Sequence, residues 1–150
     1  MILLDTNVVV YAADQDSPRH GPCRAVVENA FEGVVEGVLM PQVVLEFYAT
    51  VTGSKVRSPL APATAWRQVE ALTTGLTVLD VRRDGLDRLG DLIARTGLGG
   101  HRVFDLFLAA QMHAHGLSEI CTDNARDFRS LGFNPLSPED VLARLAARPA

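Results

Sequence analysis

The chain has 150 residues, 47% of them apolar and 21% charged, with 14 basic against 18 acidic side chains and a formal charge of −4. That length provides one domain with room for a core, and that composition excludes a disordered chain. The charge excludes a protein that coats nucleic acid by basicity alone, although a basic rim around an acidic pocket fits inside a negative total.

In chain order, Ile2 to Leu4 is a short apolar strand. Asp5-Thr6-Asn7 follows with helix-capping residue types, and Val8 to Ala12 starts a short helix. Asp14 to Pro18 is a polar break. His20 to Glu32 reads as a helix with Cys23, Val26, Val27, Ala30 and Phe31 on its inner face. Gly33 to Gly37 leads into a second strand, Val38-Leu39-Met40. Pro41 opens a helix that Gln42 to Thr52 continues. Ser54 to Pro62, with Lys55, Arg57 and two prolines, is a loop.

Ala63 to Thr74 is a helix carrying Trp66, Val69 and Leu72, and Leu76 to Val81 is a third strand. Asp84 caps a helix to about Thr96, and Gly97, Gly99 and Gly100 loosen the loop after it. Val103 to His115 is an apolar helix ended by Gly116, and Glu119 to Thr122 is a fourth strand. Ala125 to Leu131 forms a helical turn. Ser137-Pro138-Glu139-Asp140 starts a last helix that runs toward Arg148. Short apolar strands alternating with helices call for a parallel sheet covered on both faces, with ligands beyond the carboxyl ends of the strands.

Cys23 and Cys121 lack metal-type spacing, and nothing indicates an oxidising compartment. Asp5 interrupts the first apolar run and no basic leader precedes it, so the start reads as a strand and not as a signal peptide. No apolar run approaches the ~20 residues of a membrane helix. The expected location is the cytoplasm.

Three acids stand alone in apolar surroundings. Asp5 is the only charge between Met1 and Ala13, Glu46 between Gly37 and Ser54, and Asp105 between Val103 and Met112. A lone carboxylate among core residues is costly to bury unless something compensates it. Each has a structural explanation too. Asp5 can cap the helix after it, and Glu46 shares an i, i+4, i+8 face with Gln42 and Thr50 that can look at water. Asp105 lies in a first helical turn, where the helix dipole favours an anion. After the fourth strand, Asp123 and Asp127 compete for one place: either is a site residue, and the other a cap or a partner of Arg126.

Acids converging from such distant positions repel one another unless they share a cation. With no paired Cys or His beside them, all-oxygen ligands point to Mg²⁺, with Mn²⁺ as a substitute, and away from Zn²⁺. The ligand set read this way is Asp5, Asp105, Glu46 and Asp123, with Asp127 as the further candidate. One or two ions ~4 Å apart can activate water for an in-line phosphodiester displacement. Thr6, Asn7, Thr122 and Asn124 are placed to orient the acids or hold waters.

At this point the chain resembles a PIN-domain ribonuclease, and is most similar to the VapC-type toxins of type II toxin–antitoxin systems. The resemblance rests on Leu3-Leu4-Asp5-Thr6-Asn7, on Glu46 after the second strand, on Val103-Phe104-Asp105-Leu106-Phe107-Leu108-Ala109-Ala110, and on Thr122-Asp123-Asn124-Ala125-Arg126-Asp127-Phe128. It covers essentially the whole chain, in order. It implies one PIN-like domain over 1–150, an α/β fold built as a doubly wound α/β/α sandwich with a mostly parallel central sheet. It further implies Mg²⁺-dependent endonucleolytic cleavage of RNA, a cognate VapB-type antitoxin that blocks the site, often with an inserted Arg, and a homodimer.

Asp5, Glu46 and Asp105 match the first three acids of the family pattern. The fourth position, Thr-x-Asp in the family, is Asn124 here, with Asp123 one residue early and Asp127 three late. Lys55, Arg57, Arg102 and Arg126 are the candidate phosphate contacts, and the segment from Ala63 to Thr74 or the helix from Gln42 could self-associate. Two other classes fit part of the pattern: a catalytically weak metal-binding regulatory protein, and a phosphoryl-accepting signalling module with Asp5 as acceptor. The second lacks the adjacent acid, and its only lysine, Lys55, sits in the proline-rich loop.

Overall fold

A computed structural model describes residues 1–147. Among these the elements are β1 (Ile2–Leu4), α1 (Thr6–Ala13), α2 (His20–Phe31), β2 (Gly37–Leu39), α3 (Pro41–Val51), α4 (Pro62–Gly75), β3 (Thr77–Val78), α5 (Arg83–Thr96), α6 (Arg102–Ala114), β4 (Glu119–Cys121), α7 (Ala125–Ser130), β5 (Asn134–Leu136) and α8 (Pro138–Ala146). The strands form one sheet in the order β3-β2-β1-β4-β5, and every pairing is parallel.

Successive strand residues point to opposite faces of a sheet. Leu3 and Leu4, Val38 and Leu39, and Ile120 and Cys121 are all buried, so both faces are covered by helices. Helices α1 to α4 and α8 pack among themselves, while α5 and α7 pack on α6. The chain runs from β1 outward to β2 and β3, then returns across β1 to β4 and β5. The order therefore reverses at β1, which opens a crevice beyond the carboxyl ends of β1 and β4. No described helix is long and apolar enough to cross a membrane.

Several expectations change. The sheet has a fifth strand, β5, which Pro135 disguised. Proline donates no ladder hydrogen bond and is tolerated here because β5 is an edge strand paired only with β4. The third strand shrinks to Thr77–Val78 at the other edge. Phe31, expected on the inner face of its helix, is exposed. In α4, Ala65, Val69 and Leu72 form the inner face, while Trp66 is exposed and makes an edge contact with Tyr48. Cys23 and Cys121 are buried free thiols. The last helix ends at Ala146, and Arg148 lies outside the described residues.

Asp84 does not cap α5; Arg82 takes the N-cap position and Asp84 lies in the first turn, paired with Arg82. The cap geometry comes instead from the interior of α6. Gln111, 1% exposed, accepts from the Arg82 N–H at 2.8 Å and donates to the Arg82 carbonyl at 3.1 Å. One carboxamide thus pairs with both backbone groups of the residue that caps α5. Gly85 makes room for it, since a Cβ there would lie 2.3 Å from Gln111 Nε2.

Gly85→Ala should therefore break the two Gln111 bonds. Even against the ~1 kcal/mol that alanine adds in a helix, it should destabilise the protein by roughly 1–3 kcal/mol in urea unfolding. On a Gln111→Ala background the same change should be neutral or stabilising; a cost that persists there would reject the latch.

Candidate metal centre

Asp5 follows β1 because the strand ends where the chain must turn into α1, and it serves as the N-cap of that helix. Its Oδ1 accepts from the Thr6 N–H at 2.7 Å. Its Oδ2 accepts from Asn7 Nδ2 at 2.7 Å and from the Thr122 hydroxyl at 2.6 Å. The Asp5 N–H continues the sheet by donating to the Cys121 carbonyl at 3.0 Å. The capping and site readings of Asp5 are thus compatible: one oxygen caps the helix, and the other accepts from Asn7 in that helix and from Thr122 at the neighbouring strand end.

Glu46 reaches the same crevice from α3. Its Oε2 accepts from the Thr6 hydroxyl at 2.8 Å, and its Oε1 from Gln42 Nε2 at 2.9 Å. Gln42 Nε2 also donates to the Phe104 carbonyl at 3.0 Å, tying α3 to the first turn of α6. Asp105 sits in that turn, with its Oδ2 3.5 Å from Arg102 Nε. Asp5, Glu46 and Asp105 line one cleft of about 600 Å³, together with Thr6, Asn7, Tyr11, Asp14, Lys55, His101 and Asn124.

The two acids after β4 separate. Asp123 points to Arg19, whose Nη2 lies 2.9 Å from Asp123 Oδ1, and the same guanidinium grips Glu139 at the start of α8. Only the Asp123 N–H turns toward the site, donating to Asn7 Oδ1 at 3.1 Å. Asp127 approaches Asp105 through a shared partner, Arg102, whose Nη2 is 2.9 Å from Asp127 Oδ1. Asn124 Nδ2 donates to Asp127 Oδ2 at 2.7 Å, and the Asn124 N–H donates to Thr122 Oγ1 at 2.9 Å.

Of the four basic candidates, Lys55 lines the cleft, Arg102 bridges the two acids at its edge, and Arg57 and Arg126 are not among its lining residues. Thr6, Asn7 and Thr122, expected to orient the acids, do hydrogen-bond to them. Arg19 was not legible. It follows a polar break with no periodic signal, and its carboxylate partners lie more than a hundred residues away.

The sequence profile of the PIN domain matches residues 2–134. The chain belongs to the PIN domain family. Ribonuclease VapC24 of Mycobacterium tuberculosis is 28% identical over 142 residues, spanning 89% of this chain and 93% of that protein. The crystal structure of M. tuberculosis VapC20, a toxin that cleaves the sarcin–ricin loop, superposes with a TM-score of 0.68 at 17% identity, covering 89% of this chain and 97% of that one. The DNA-bound VapBC of Salmonella typhimurium gives a TM-score of 0.66 at 21% identity, covering 92% and 99%. These structures share the PIN fold seen here.

The chemistry of this PIN cleft suits a hard cation. Its acidic donors are all carboxylate oxygens, and Asp5 and Glu46 are held rigid by neighbouring donors. Among the described residues no three His, Cys, Asp or Glu side chains stand close enough to enclose an ion by themselves. That arrangement still fits Mg²⁺, which keeps several waters and takes only one or two carboxylates plus substrate phosphate.

Asp5 is 8% exposed, and its burial pushes the carboxyl up to about 6; the Thr122 and Thr6 hydrogen bonds pull the other way, and the charges of Asp105 and Glu46 add to the rise. Asp105 is also raised, by partial desolvation first, with Arg102 opposing and Asp127 and Glu46 adding. Between the ordinary value of 3.8 and about 6, folded Asp5 holds a proton that the unfolded chain has released. This contribution to stability is complete below the lower value and is lost as pH rises through the upper one. In chelator, the stability attributable to Asp5 should fall by roughly 2 kcal/mol between pH 4 and pH 7. Urea unfolding of the wild type against Asp5→Asn checks this: the variant should lack that slope, and parallel curves would refute it.

Proposed function

We propose that this chain is a metal-dependent endoribonuclease that hydrolyses RNA phosphodiester bonds as the toxin of a VapBC-type toxin–antitoxin pair. The observation that carries the reading is the convergence of Asp5, Glu46 and Asp105, from three distant segments, on one cleft at the switch point of a PIN sheet. Relatives named a ribonuclease and a toxin that cleaves the sarcin–ricin loop support RNA as the substrate.

In this reading Asp5 and Asp105 would hold Mg²⁺, or Mn²⁺ in its place, with Glu46 beside them in the same cleft. A divalent ion there supplies Lewis acidity, strengthening water as a nucleophile and offsetting charge on the phosphate. The protein's own part is positional. Thr6, Asn7 and Thr122 fix the Asp5 carboxylate, and Thr6 with Gln42 fixes Glu46, where it orients the attacking water. Lys55, the basic side chain in the cleft lining, meets the substrate phosphate. Asp127, beside Asp105 through Arg102, takes the fourth acidic place, and Asp123 braces the loop through Arg19.

The partner is a VapB-type antitoxin, by likeness to the VapBC complexes, and an acidic cleft suits an inserted arginine. A homodimer is supported by an apolar hollow beside the cleft, formed by Leu45, Leu89, Val103, Phe104 and Phe107, with Leu45 67% and Phe104 50% exposed. An RNA target puts the work of the protein in the cytoplasm. Asn124 in the cleft lining, where the family pattern has an acid, favours one second reading: a metal-binding regulator with weak catalysis. A phosphoryl acceptor fits less well, because both Asp5 oxygens are engaged and buried.

Incubation with structured RNAs should give Mg²⁺-dependent cleavage that chelator stops and Asp105→Asn abolishes, with the circular dichroism of the variant unchanged. Cleavage that survives Asp105→Asn would reject the mechanism, and no cleavage of any RNA would favour the regulator. Asp123→Asn should lower the melting temperature while keeping the wild-type Mg²⁺ requirement; a changed requirement would return Asp123 to the ligand set.

A further inference from the structure

We propose that Arg102 is a built-in counter-cation for Asp105 and Asp127, so that the cleft takes one divalent ion where a fully acidic site would take two. The inference rests on the metal-dependent reading above and specifies its stoichiometry.

Arg102 opens α6, one turn before Asp105. Its guanidinium faces two carboxylates from different helices: Nε lies 3.5 Å from Asp105 Oδ2 and Nη2 lies 2.9 Å from Asp127 Oδ1. The remaining Asp127 oxygen accepts from Asn124 Nδ2 at 2.7 Å. Both oxygens of Asp127 are therefore committed, one to a permanent cation and one to a neutral carboxamide. Asn124 itself lines the cleft and adds no charge there.

Two-metal sites hold their ions ~4 Å apart and need enough carboxylate charge to offset both. Four carboxylates line the cleft, but Asp14 sits at the opposite end of α1 from Asp5 and accepts from the Asp16 N–H, so Asp5, Glu46 and Asp105 remain for the ion, and the charge of the next acid, Asp127, is already balanced by Arg102. A second ion at the Asp105 side would have to displace a guanidinium that two acids share. Among the described residues no three acids close on one point, which suits a single hydrated ion.

The guanidinium also does chemically what a second ion would do. It carries fixed positive charge beside Asp105, and its planar fork presents donors that match phosphate oxygens. Its side chain is 46% exposed, so a phosphate can reach it from solvent while the Asp127 contact holds it in place. Lys55, on the loop after α3, supplies a separate positive charge in the cleft lining and does not contact either acid in any ion pair of the described residues.

The test counts ions on the RNA-free protein. Mn²⁺ titration followed by the electron paramagnetic resonance signal of the free ion should give one bound ion for the wild type and two for Arg102→Gln. Arg102→Lys, which keeps the charge, should restore one, a rescue that a purely structural role for Arg102 would not produce. Two ions on the wild type would overturn the proposal, and that measurement decides even if the glutamine variant does not fold. A folded Arg102→Gln that binds one ion with unchanged affinity would overturn it as well, and would leave the nuclease reading standing. A wild type that binds no Mn²⁺ at millimolar concentration would bring down the metal-dependent reading and this inference together.

Discussion

The whole site is organised around the cost of taking one carboxylate out of water. Asp5 stands at the carboxyl end of the central strand, almost fully buried, between the ends of β1 and β4. Burial of an uncompensated carboxylate costs several kcal/mol. The structure answers with a backbone N–H, a carboxamide and a hydroxyl, drawn from the start of α1 and from the residue after β4. Those donors are oriented in turn. Asn7 is held by the Asp123 N–H and Thr122 by a backbone bond to Leu136. The position of Asp5 therefore depends on four elements at once, and burial keeps its proton affinity high. A group so placed favours neutrality, or a cation close by.

Around that centre, arginines sort the remaining acids. Asp123 and Asp127 lie four residues apart on the same loop and helix start, yet they serve different purposes because different guanidinium groups claim them. Arg19 takes Asp123 together with Glu139 and binds the loop to α2 and α8. Arg102 takes Asp127 together with Asp105 and keeps that pair at the cleft. Exposed ion pairs contribute little individually to stability, but a guanidinium shared between two carboxylates of separate helices fixes where those helices meet.

The helix that carries Asp105 is steadied from its other end by a neutral contact. Gln111 is buried among apolar neighbours and hydrogen-bonds to both backbone groups of Arg82. A lone carboxamide in that position is costly unless both of its ends are satisfied, and here they are. The close approach of α5 follows from it, because Gly85 must lack a side chain for Gln111 to reach the turn. Placement of the acid in α6 thus relies on a packing detail far from the chemistry.

The sequence by itself determined the alternation of strands and helices, the helix N-terminus at Asp5, and the isolation of Asp5, Glu46 and Asp105 in apolar surroundings. These are local matters: period, capping chemistry and the cost of burying charge are all legible within a few residues. It also carried the family pattern, which the match over residues 2–134 upholds. It concealed β5, because a proline strand is acceptable only at an edge, and edges are a property of the assembled sheet. It left Asp123 and Asp127 interchangeable, since the two differ only in which distant arginine each one meets. The division of labour between those acids, the latch at Gln111 and the shared guanidinium at Arg102 are contacts between segments far apart in the chain, and only tertiary packing creates them.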